Sequence, residues 1–386
     1  MSELHAFVGA TIFDGENWFS DVALLVEFGR VSAITHADEV PAQAQTTRLD
    51  GGMLVPGFID LQVNGGGGVL FNNDPSVEAI RTICASHAQF GTTALLPTLI
   101  TDTVEVNIAA IAAGISAMEQ GVPGFLGLHL EGPHLALARK GTHDGALVRP
   151  MEPADLERIL AAKARLPNLL CTVAAETATP AQITALSDAG IVVSIGHSDA
   201  GHGHATEAFA AGATMTTHLF NAMSQIGNRE PGLAGAALTT PTVWAGLIAD
   251  GIHVHPATIA LALRAKQGPA RIFLVTDSMS QTGTDIQSMT LNGRTIKRAD
   301  GALRLADGTL AGADLDMIDA VEFMHAQIGL PIEEAFRMAS LYPAQAMGLA
   351  ADHGHLRPGA VASFVHLSDE RRVLSTWITG TKVFGA

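Results

Sequence analysis

One carboxylate and two imidazoles stand at the ends of three separate apolar runs: Glu131, His197 and His218. Two histidines, one carboxylate and a water in the fourth position are typical of a catalytic divalent metal, and they suit zinc or iron(II). No local motif such as HExxH brings these residues together, so they form a site only if the fold makes the runs converge. Taken alone, each histidine is more readily interpreted as a hydrogen-bonded structural residue.

A second carboxylate, Asp277, ends the apolar run Leu274-Val-Thr-Asp. Beside a metal site, such a group can take a proton from water and return it to a leaving amine, as a general base and then a general acid. The alternative is that Asp277 caps the N-terminus of a following helix. The sequence alone leaves both interpretations open.

Short apolar runs alternate with helical stretches between about residues 54 and 280. The strands and helices that this pattern predicts must position the candidate groups. Eight runs are predicted as strands: Leu54–Asn64, Thr92–Ile100, Phe125–Pro133, Leu169–Glu176, Ile191–Ser198, Thr214–Ala222, Trp244–Val254 and Arg271–Met279. Segments of helical spacing that end at glycine separate them, such as Pro75–Phe90 and Pro180–Ala189. The pattern predicts an α/β fold, a closed (β/α)8 TIM barrel, with a doubly wound open sheet as the competing architecture.

Polar residues end each of these runs. They are Gln62, Asn64, Thr98, Glu131, Glu176, His197, His218, His253 and Asp277. In a parallel barrel all C-terminal strand ends open onto one face, where the active sites of such barrels lie. Strands that simply end at the surface would carry lysine as readily as histidine and glutamate, and no lysine occurs here. We therefore expect these side chains to converge.

The two ends of the chain read as short antiparallel strands. Residues 1–53 alternate apolar and polar positions around turn signals, and His355–Phe384 does the same, with a strand at Val361–Leu367. Because isolated hairpins are marginally stable, we expect the two ends to pair into one small β-sandwich domain. The predicted division is therefore residues 1–53 with 350–386 for the small domain, and 54–349 for the barrel.

Three further elements are predicted between the eighth barrel run and the C-terminal strands. Leu291–Leu310 is β-rich, with Asn-Gly and Asp-Gly turns, and reads as an insertion after the eighth strand. Helical patterns over Asp316–Ile328 and Ile332–Met347 complete the barrel portion.

Composition limits the class of protein. The 386 residues carry 38 acidic and 22 basic side chains, a net charge of −16, which argues against a nucleic-acid partner because phosphate-backbone binders need basic stripes. Two cysteines are too few for a disulfide framework and favour a reducing compartment. No apolar run approaches the ~18 residues of a membrane span, and the N-terminus has no secretory pattern. A cytoplasmic protein without membrane contact is expected.

Several motifs, taken together and in this order, resemble the amidohydrolase superfamily over essentially the whole chain. Within it they are similar to the group that deacetylates N-acetylglucosamine 6-phosphate. The motifs are PGFIDLQVNG (56–65), LPTLIT (96–101), GLHLEGPH (127–134), KGTHD (140–144), GHS (196–198), THLFNAM (217–223), REPGLAG (229–235), ADGIHV (249–254) and VTD (275–277). PGFID (56–60) alone marks only the superfamily, whereas the set is highly specific.

The resemblance implies roles for the reacting end of a site. Glu131, His197 and His218 match the metal ligands, Asp277 matches the acid/base, and His143 matches a residue that contacts the reacting amide. The implied reaction is metal-dependent hydrolysis of the acetamide of N-acetyl-D-glucosamine 6-phosphate in amino-sugar catabolism or cell-wall recycling. A related amidohydrolase acting on N-acetylgalactosamine 6-phosphate or another N-acyl substrate is the alternative.

The resemblance also implies how the substrate phosphate is bound. Asn221, Ala222 and His253 match residues that contact the phosphate, and Arg229 matches an arginine that reaches into the neighbouring subunit's site, which implies a homodimer. An anionic substrate of a protein with net charge −16 requires cationic groups concentrated at the site. Arg139 and Lys140 are further possible sources of positive potential, or else solvated loop charges.

The sequence departs from the superfamily pattern after the first strand, where Gln62-Val-Asn64 replaces His-x-His. Amides are poor zinc ligands compared with imidazole, so one divalent metal per subunit is expected, and Gln62 and Asn64 are expected among the substrate-binding residues. His202 and His204 follow the ligand His197, but they fall at the start of a predicted helix and are interpreted as exposed side chains that bind no metal.

Overall fold

A barrel of eight parallel strands forms the centre of the molecule. The computed structural model describes residues 4–385. Strand order around the barrel follows the chain: Phe58–Val63, Thr92–Ile100, Leu128–Glu131, Leu169–Val173, Val192–Ile195, Met215–Thr216, Trp244–Leu247 and Ile272–Leu274. Hydrogen bonds from Asp277 N to Gln62 O (3.0 Å) and from Asn64 N to Ser278 O (2.9 Å) close the barrel between its last and first strands. The predicted (β/α)8 fold is confirmed.

Most barrel strands end earlier than the apolar runs predicted. The second strand matches its predicted run residue for residue, but the sixth keeps only Met215–Thr216 of Thr214–Ala222. The seventh stops at Leu247 and leaves His253 on a loop. The physical reason is visible in the backbone: His197, His218 and Asp277 adopt positive φ angles of 47°, 28° and 50°, which no extended strand permits.

Helices surround the barrel, and several of them begin after a residue whose side chain caps the first turn. Their bounds are Val77–Ala88, Val104–Glu119, Pro153–Lys163, Pro180–Asp188, His202–Ala210, Gly232–Thr239, Pro256–Ala265, Met317–Ala326, Ile332–Ala339 and Leu341–Ala346, with 3-10 turns at Ala37–Glu39 and Leu137–Arg139. Ser76 and Thr179 accept hydrogen bonds from main-chain N–H groups of the first turns. The single helix predicted over Ile332–Met347 is divided at Ser340, whose ψ of −72° and φ of −133° lie outside helical geometry.

The two ends of the chain pair into a small two-sheet domain. One sheet contains Arg30–His36, Val22–Glu27, His5–Val8 and Gln45–Arg48; the other contains Thr381–Phe384, Val373–Ile378, Phe364–Leu367, Met53–Pro56, Thr11–Phe13 and Trp18–Phe19. Phe7 from the first sheet packs edge-on against Phe364 of the second, with ring centroids 4.8 Å apart. The predicted small β-sandwich is therefore confirmed.

The first predicted strand, Leu54–Asn64, is wrong at its start. Met53–Pro56 pairs with Phe364–Leu367 of the small domain, and the barrel strand begins only at Phe58. Gly57 stands between them, where a Cβ atom would lie 2.1 Å from the Thr93 hydroxyl oxygen. A larger residue would therefore not fit at this crossing. The division into residues 1–53 with 350–386 and 54–349 stays a prediction.

An antiparallel insertion follows the eighth barrel strand, as expected, although it is longer than the predicted Leu291–Leu310. Its strands are Ser288–Leu291, Arg294–Ala299, Ala302–Arg304 and Leu310–Ala313, and we call it the insertion sheet. A short hairpin, Gly65–Gly66 with Val69–Leu70, follows the first barrel strand. Across residues 4–385, none of the helices has both the length and the apolar character needed to traverse a lipid bilayer.

Candidate active site

A cavity of about 530 Å³ opens at the C-terminal ends of the barrel strands. Nine of the site residues predicted from the sequence line it: Asn64, Glu131, His143, His197, His218, Asn221, Ala222, His253 and Asp277. These residues come from the ends of six different strands or the loops after them. The fold therefore brings together groups that are more than 200 positions apart in the chain.

Glu131, His197 and His218 meet at the floor of the cavity. Oε1 of Glu131 lies 3.3 Å from Nε2 of His197 and 3.2 Å from Nε2 of His218, and the two Nε2 atoms are 3.0 Å apart. All three side chains are buried. Ligands about 2.0–2.1 Å from a tetrahedral metal lie about 3.3 Å from one another, so the spacing fits a divalent cation held by these three atoms.

The orientation of His197 also fits a metal ligand. Its Nδ1 lies 2.8 Å from the main-chain carbonyl of Arg139, which can only accept a hydrogen bond, so Nδ1 carries a hydrogen. In the neutral ring Nε2 then offers a lone pair toward Glu131 and His218. Metal-binding histidines commonly donate their other ring N–H in this way, which fixes the tautomer and the ring plane.

Glu131 is an anionic member of this cluster. Burial by itself raises the pKa of its carboxyl, but the adjacent imidazoles of His197 and His218 outweigh burial and hold that pKa well below its ordinary value. The carboxylate thus supplies the negative charge that a divalent cation requires.

Asp277 lies beside the cluster and is held by two amides. Asn64 Nδ2 donates to Asp277 Oδ1 at 2.7 Å, and Gln62 Nε2 lies 3.3 Å from the same oxygen. Burial and the negative charge of Glu131 raise the pKa of Asp277 to about 6. A carboxyl with this pKa can both accept and return a proton near neutral pH. The next helix along the chain begins at Met317 and is capped by Asp316, so the alternative of Asp277 as a helix cap is wrong.

The structure gives Gln62 and Asn64 contacts with carboxylates. Gln62 Nε2 lies 3.2 Å from Glu131 Oε1 as well as 3.3 Å from Asp277, so one amide bridges the two acidic groups. Asn64 lines the cavity, whereas Gln62 is buried beneath it and is not among the lining residues.

His143 reaches the cavity from the loop after the third strand. Its Nδ1 lies 2.8 Å from the hydroxyl oxygen of Thr101, and its Nε2 lies 3.9 Å from Glu131 Oε2. Burial and the nearby His197 hold the pKa of His143 well below its ordinary value, so the ring is neutral near pH 7. The sequence pattern around Thr101 contained no signal for this contact.

The residues predicted to contact phosphate occupy another part of the same cavity. Asn221 and Ala222 follow His218, and Ala222 has a positive φ of 49°. His253 is fixed by its neighbour Asp250, whose Oδ2 lies 2.6 Å from Nδ1. Arg229 does not line the cavity and is exposed on the segment 225–230.

Four other residues considered in the sequence analysis are Glu176, His202, His204 and Arg139. Glu176 is exposed outside the cavity and accepts hydrogen bonds from Ser198 Oγ and Asp199 N, both at 2.6 Å. His204 is exposed and His202 is half-buried in the helix His202–Ala210, and neither has a contact with the Glu131 cluster among the interactions of residues 4–385. Arg139 lines the cavity and pairs with Asp199 at 2.7 Å.

The insertion sheet supplies lining residues that sequence reasoning missed. Arg304, Gly308, Thr309, Leu310 and Gly312 all line the cavity. No motif marked them, and the only available signal was the position of the insertion directly after the eighth strand.

The geometry agrees with comparisons to known proteins. The model of the Amidohydrolase family matches residues 53–383, and that of the NagA composite domain matches residues 4–54. The chain is 40% identical to an N-acetylgalactosamine-6-phosphate deacetylase of Shewanella sp. (strain ANA-3), over 98% of this chain and 95% of that protein. It is 33% identical to an N-acetylglucosamine-6-phosphate deacetylase of Haemophilus influenzae, over 97% and 98% of the two chains.

Solved structures of deacetylases are also similar to this chain over nearly its whole length. The N-acetylglucosamine-6-phosphate deacetylase of Pasteurella multocida superposes with a TM-score of 0.94 at 35% identity, covering 98% of this chain and 99% of that one. A variant of the Mycobacterium smegmatis enzyme, in complex with N-acetyl-D-glucosamine-6-phosphate, has a TM-score of 0.90 at 32% identity and 99% coverage of both chains.

Proposed function

The chain belongs to the amidohydrolase family, and from this premise we propose that it is a metal-dependent deacetylase of N-acetyl-D-glucosamine 6-phosphate. The products are D-glucosamine 6-phosphate and acetate, which places the enzyme in amino-sugar catabolism or cell-wall recycling. The observation that carries the proposal is the convergence of Glu131, His197, His218 and Asp277 at one end of a cavity that His253 also lines. Proteins that are 33% to 40% identical over nearly the whole chain are named as deacetylases of this substrate class.

We assign one divalent metal, zinc or iron(II), to Glu131, His197 and His218. Two imidazole nitrogens and one carboxylate oxygen are ligands that both metals accept, and the 3.0–3.3 Å spacing of the donor atoms supports a single ion. When bound, such an ion polarises a carbonyl group and lowers the pKa of water. At the position of a second ion, Gln62 and Asn64 offer amides that already donate to carboxylates.

Asp277 carries the proton in the proposed reaction. Its carboxylate accepts a proton from the attacking water, and the oxygen of that water forms a bond to the acetamide carbon. The carboxyl of Asp277 then returns the proton to the sugar nitrogen as the carbon–nitrogen bond breaks. A pKa of about 6 suits both steps, since the group is mostly ionised at neutral pH and yet able to hold a proton transiently.

His143 stabilises the negative charge that develops on the carbonyl oxygen. If the Nδ1 of its neutral ring accepts from Thr101, Nε2 carries the hydrogen and can donate it into the cavity. Both contacts support this tautomer: Thr101 N donates to Nδ1 at 3.3 Å, and the Thr101 hydroxyl lies 2.8 Å away. A donor held in place before the reaction is the arrangement that favours the transition state over the substrate.

The phosphate of the substrate is assigned to Asn221, Ala222 and His253, with Arg229 supplied by a second copy of the chain. Arg229 is exposed and lies outside its own cavity, which supports a role in a neighbouring subunit and hence a homodimer. We place the enzyme in the cytoplasm, and the two buried free thiols, Cys84 and Cys171, support a reducing compartment.

The C4 epimer, N-acetyl-D-galactosamine 6-phosphate, is the second candidate substrate. It is favoured by the 40% identity with the Shewanella protein, which is named for that substrate. Acetate release from both epimers, each with and without the 6-phosphate, tests the proposal after the metal content has been measured. We expect the highest kcat/KM for a 6-phosphorylated N-acetylhexosamine; equal turnover without the phosphate, or no acetate from any of the four sugars, would reject it.

A further inference from the structure

The insertion sheet forms one wall of the cavity, and none of its residues has a role in the proposed mechanism. Arg304, Thr309 and Leu310 from this sheet line the cavity together with Thr142 and His143 from the loop after the third strand. Most of that loop, between residues 132 and 152, has no regular structure apart from the short turn Leu137–Arg139. A reactive group on such a loop needs contacts from elsewhere to hold its position.

One side chain of the insertion sheet makes such a contact. Nη2 of Arg294 donates a hydrogen bond to the main-chain carbonyl of Thr142, the residue directly before His143. Within residues 4–385 this is the only hydrogen bond that joins the insertion sheet to the loop. Arg294 is half-buried, and the acceptor is a main-chain atom, so the contact does not depend on which side chain occupies position 142.

The insertion sheet is itself fixed to the barrel and can therefore serve as an anchor. Met289, Leu291 and Ile296 pack with Ile100 and Met279 in one apolar cluster. In addition, Asn73 Nδ2 donates to the main-chain carbonyl of Thr290 at 2.8 Å. The guanidinium of Arg294 thus extends from a packed sheet to an irregular loop.

The backbone beside His143 is where this contact acts. His143 N donates to Lys140 O at 3.0 Å, and the ring is held at Nδ1 by Thr101. The N–H of His143 and the carbonyl of Thr142 belong to the same peptide, which is therefore held at its N–H by the loop itself and at its carbonyl by Arg294. We propose that Arg294 is a positioning residue: it holds the Thr142 carbonyl and so fixes His143 against the reacting amide. The inference rests on the proposed deacetylase function.

Substitution of Arg294 separates positioning from a general structural role. Arg294→Met removes the donor but keeps an extended, unbranched side chain, whereas Arg294→Lys keeps a cationic donor. Lys297→Met is the matched control because Lys297 is exposed on the same strand. A displacement of about 1 Å at a reacting group can lower the rate about 100-fold. We expect Arg294→Met to lower kcat about 10- to 100-fold while KM changes by less than about threefold, and Arg294→Lys to restore most of kcat.

Amide hydrogen exchange gives a readout that does not depend on activity. In the metal-loaded full-length protein, peptides covering residues 139–145 should exchange faster in Arg294→Met than in the wild type and Lys297→Met. Unchanged exchange together with a kcat within about twofold of Lys297→Met would overturn the inference. If Arg294→Met does not fold, Arg294→Gln takes its place. Absence of acetate release from the wild type would reject the proposed function, whereas the exchange comparison would still test the Arg294 contact.

Discussion

Nδ1 of His197 donates a hydrogen bond to the main-chain carbonyl of Arg139 at 2.8 Å, and this bond turns Nε2 of the ring toward Glu131. The acceptor belongs to the same irregular loop that carries His143. One loop therefore orients a proposed metal ligand through its backbone and presents the proposed oxyanion donor as a side chain.

Metal content tests the assignment of His197. Replacing a ligand leaves only Glu131 and His218, so His197→Ala should lower the bound metal from about one ion per chain to a small fraction of that value after dialysis. His202→Ala is the control, because His202 lies five residues further along and outside the cluster. Elemental analysis of both variants measures the bound metal. A full equivalent of metal in His197→Ala would show that His197 is not a ligand.

His143 should affect the rate of reaction more than the metal. Removal of one donor to a developing oxyanion typically lowers kcat by about 100- to 1,000-fold, so His143→Leu should show a loss of this size with unchanged metal content. His204→Leu, an exposed histidine on the helix His202–Ala210, should match the wild type. If His143→Leu instead lost its metal, His143 would be a ligand, an interpretation that its 3.9 Å distance from Glu131 makes worth testing.

Arg229 should matter only for phosphorylated substrates. The test uses protein that is shown to be a dimer in solution. Arg229→Ala removes a cation proposed to contact the phosphate in the neighbouring subunit, so we expect KM for the 6-phosphorylated substrate to rise about tenfold or more. Turnover of the unphosphorylated sugar should not change. Arg264→Ala is the exposed control. Equal effects of Arg229→Ala on both substrates would contradict the proposed contact.

The buried carboxyl of Asp60 should make the free energy of unfolding depend on pH. This residue is fully buried, and burial raises the pKa of its carboxyl to about 7, despite hydrogen bonds from Thr276 and the main-chain N–H of Gln62. Because the folded-state pKa lies above the unfolded value of 3.8, the stabilising contribution is complete below about pH 4 and is lost as pH rises through about 7. One such proton gives a slope of at most about 1.4 kcal/mol per pH unit.

Thermal unfolding measures this dependence. Relative to Asp60→Asn, the Tm of the wild type should fall between pH 5 and pH 8, because only the wild type must lose a proton from the buried site. Asp50→Asn, at an exposed position, should show no such difference. A Tm difference between Asp60→Asn and the wild type that stays constant over this range would show that Asp60 does not titrate there.

The barrel could be predicted from sequence because its strands are buried on both faces and therefore read as continuous apolar runs. The ends of those strands could not be predicted, because residues such as Ile248 remain apolar and buried beyond the strand Trp244–Leu247. Convergence of Glu131, His197, His218 and Asp277 followed from topology alone, because every parallel strand of a barrel ends on the same face.

The contacts between loops were beyond sequence reasoning. Arg294 lies more than 150 positions from Thr142, and its partner is a main-chain carbonyl that every residue possesses. Gln62 and Asn64 were expected to bind substrate, which stays a prediction; in the structure their amides contact carboxylates, a relation that depends on the closure between the first and eighth strands. Such contacts leave no spacing in the sequence from which to infer them.

The most direct test of the account is acetate release from N-acetyl-D-glucosamine 6-phosphate by Asp277→Asn at a metal content equal to that of the wild type. The isosteric amide keeps the shape of the site but cannot accept the proton, so we expect kcat to fall by about 100- to 10,000-fold. Asp285→Asn, exposed eight residues further along, should retain wild-type activity. A metal-loaded Asp277→Asn with near wild-type kcat would contradict the proposed mechanism.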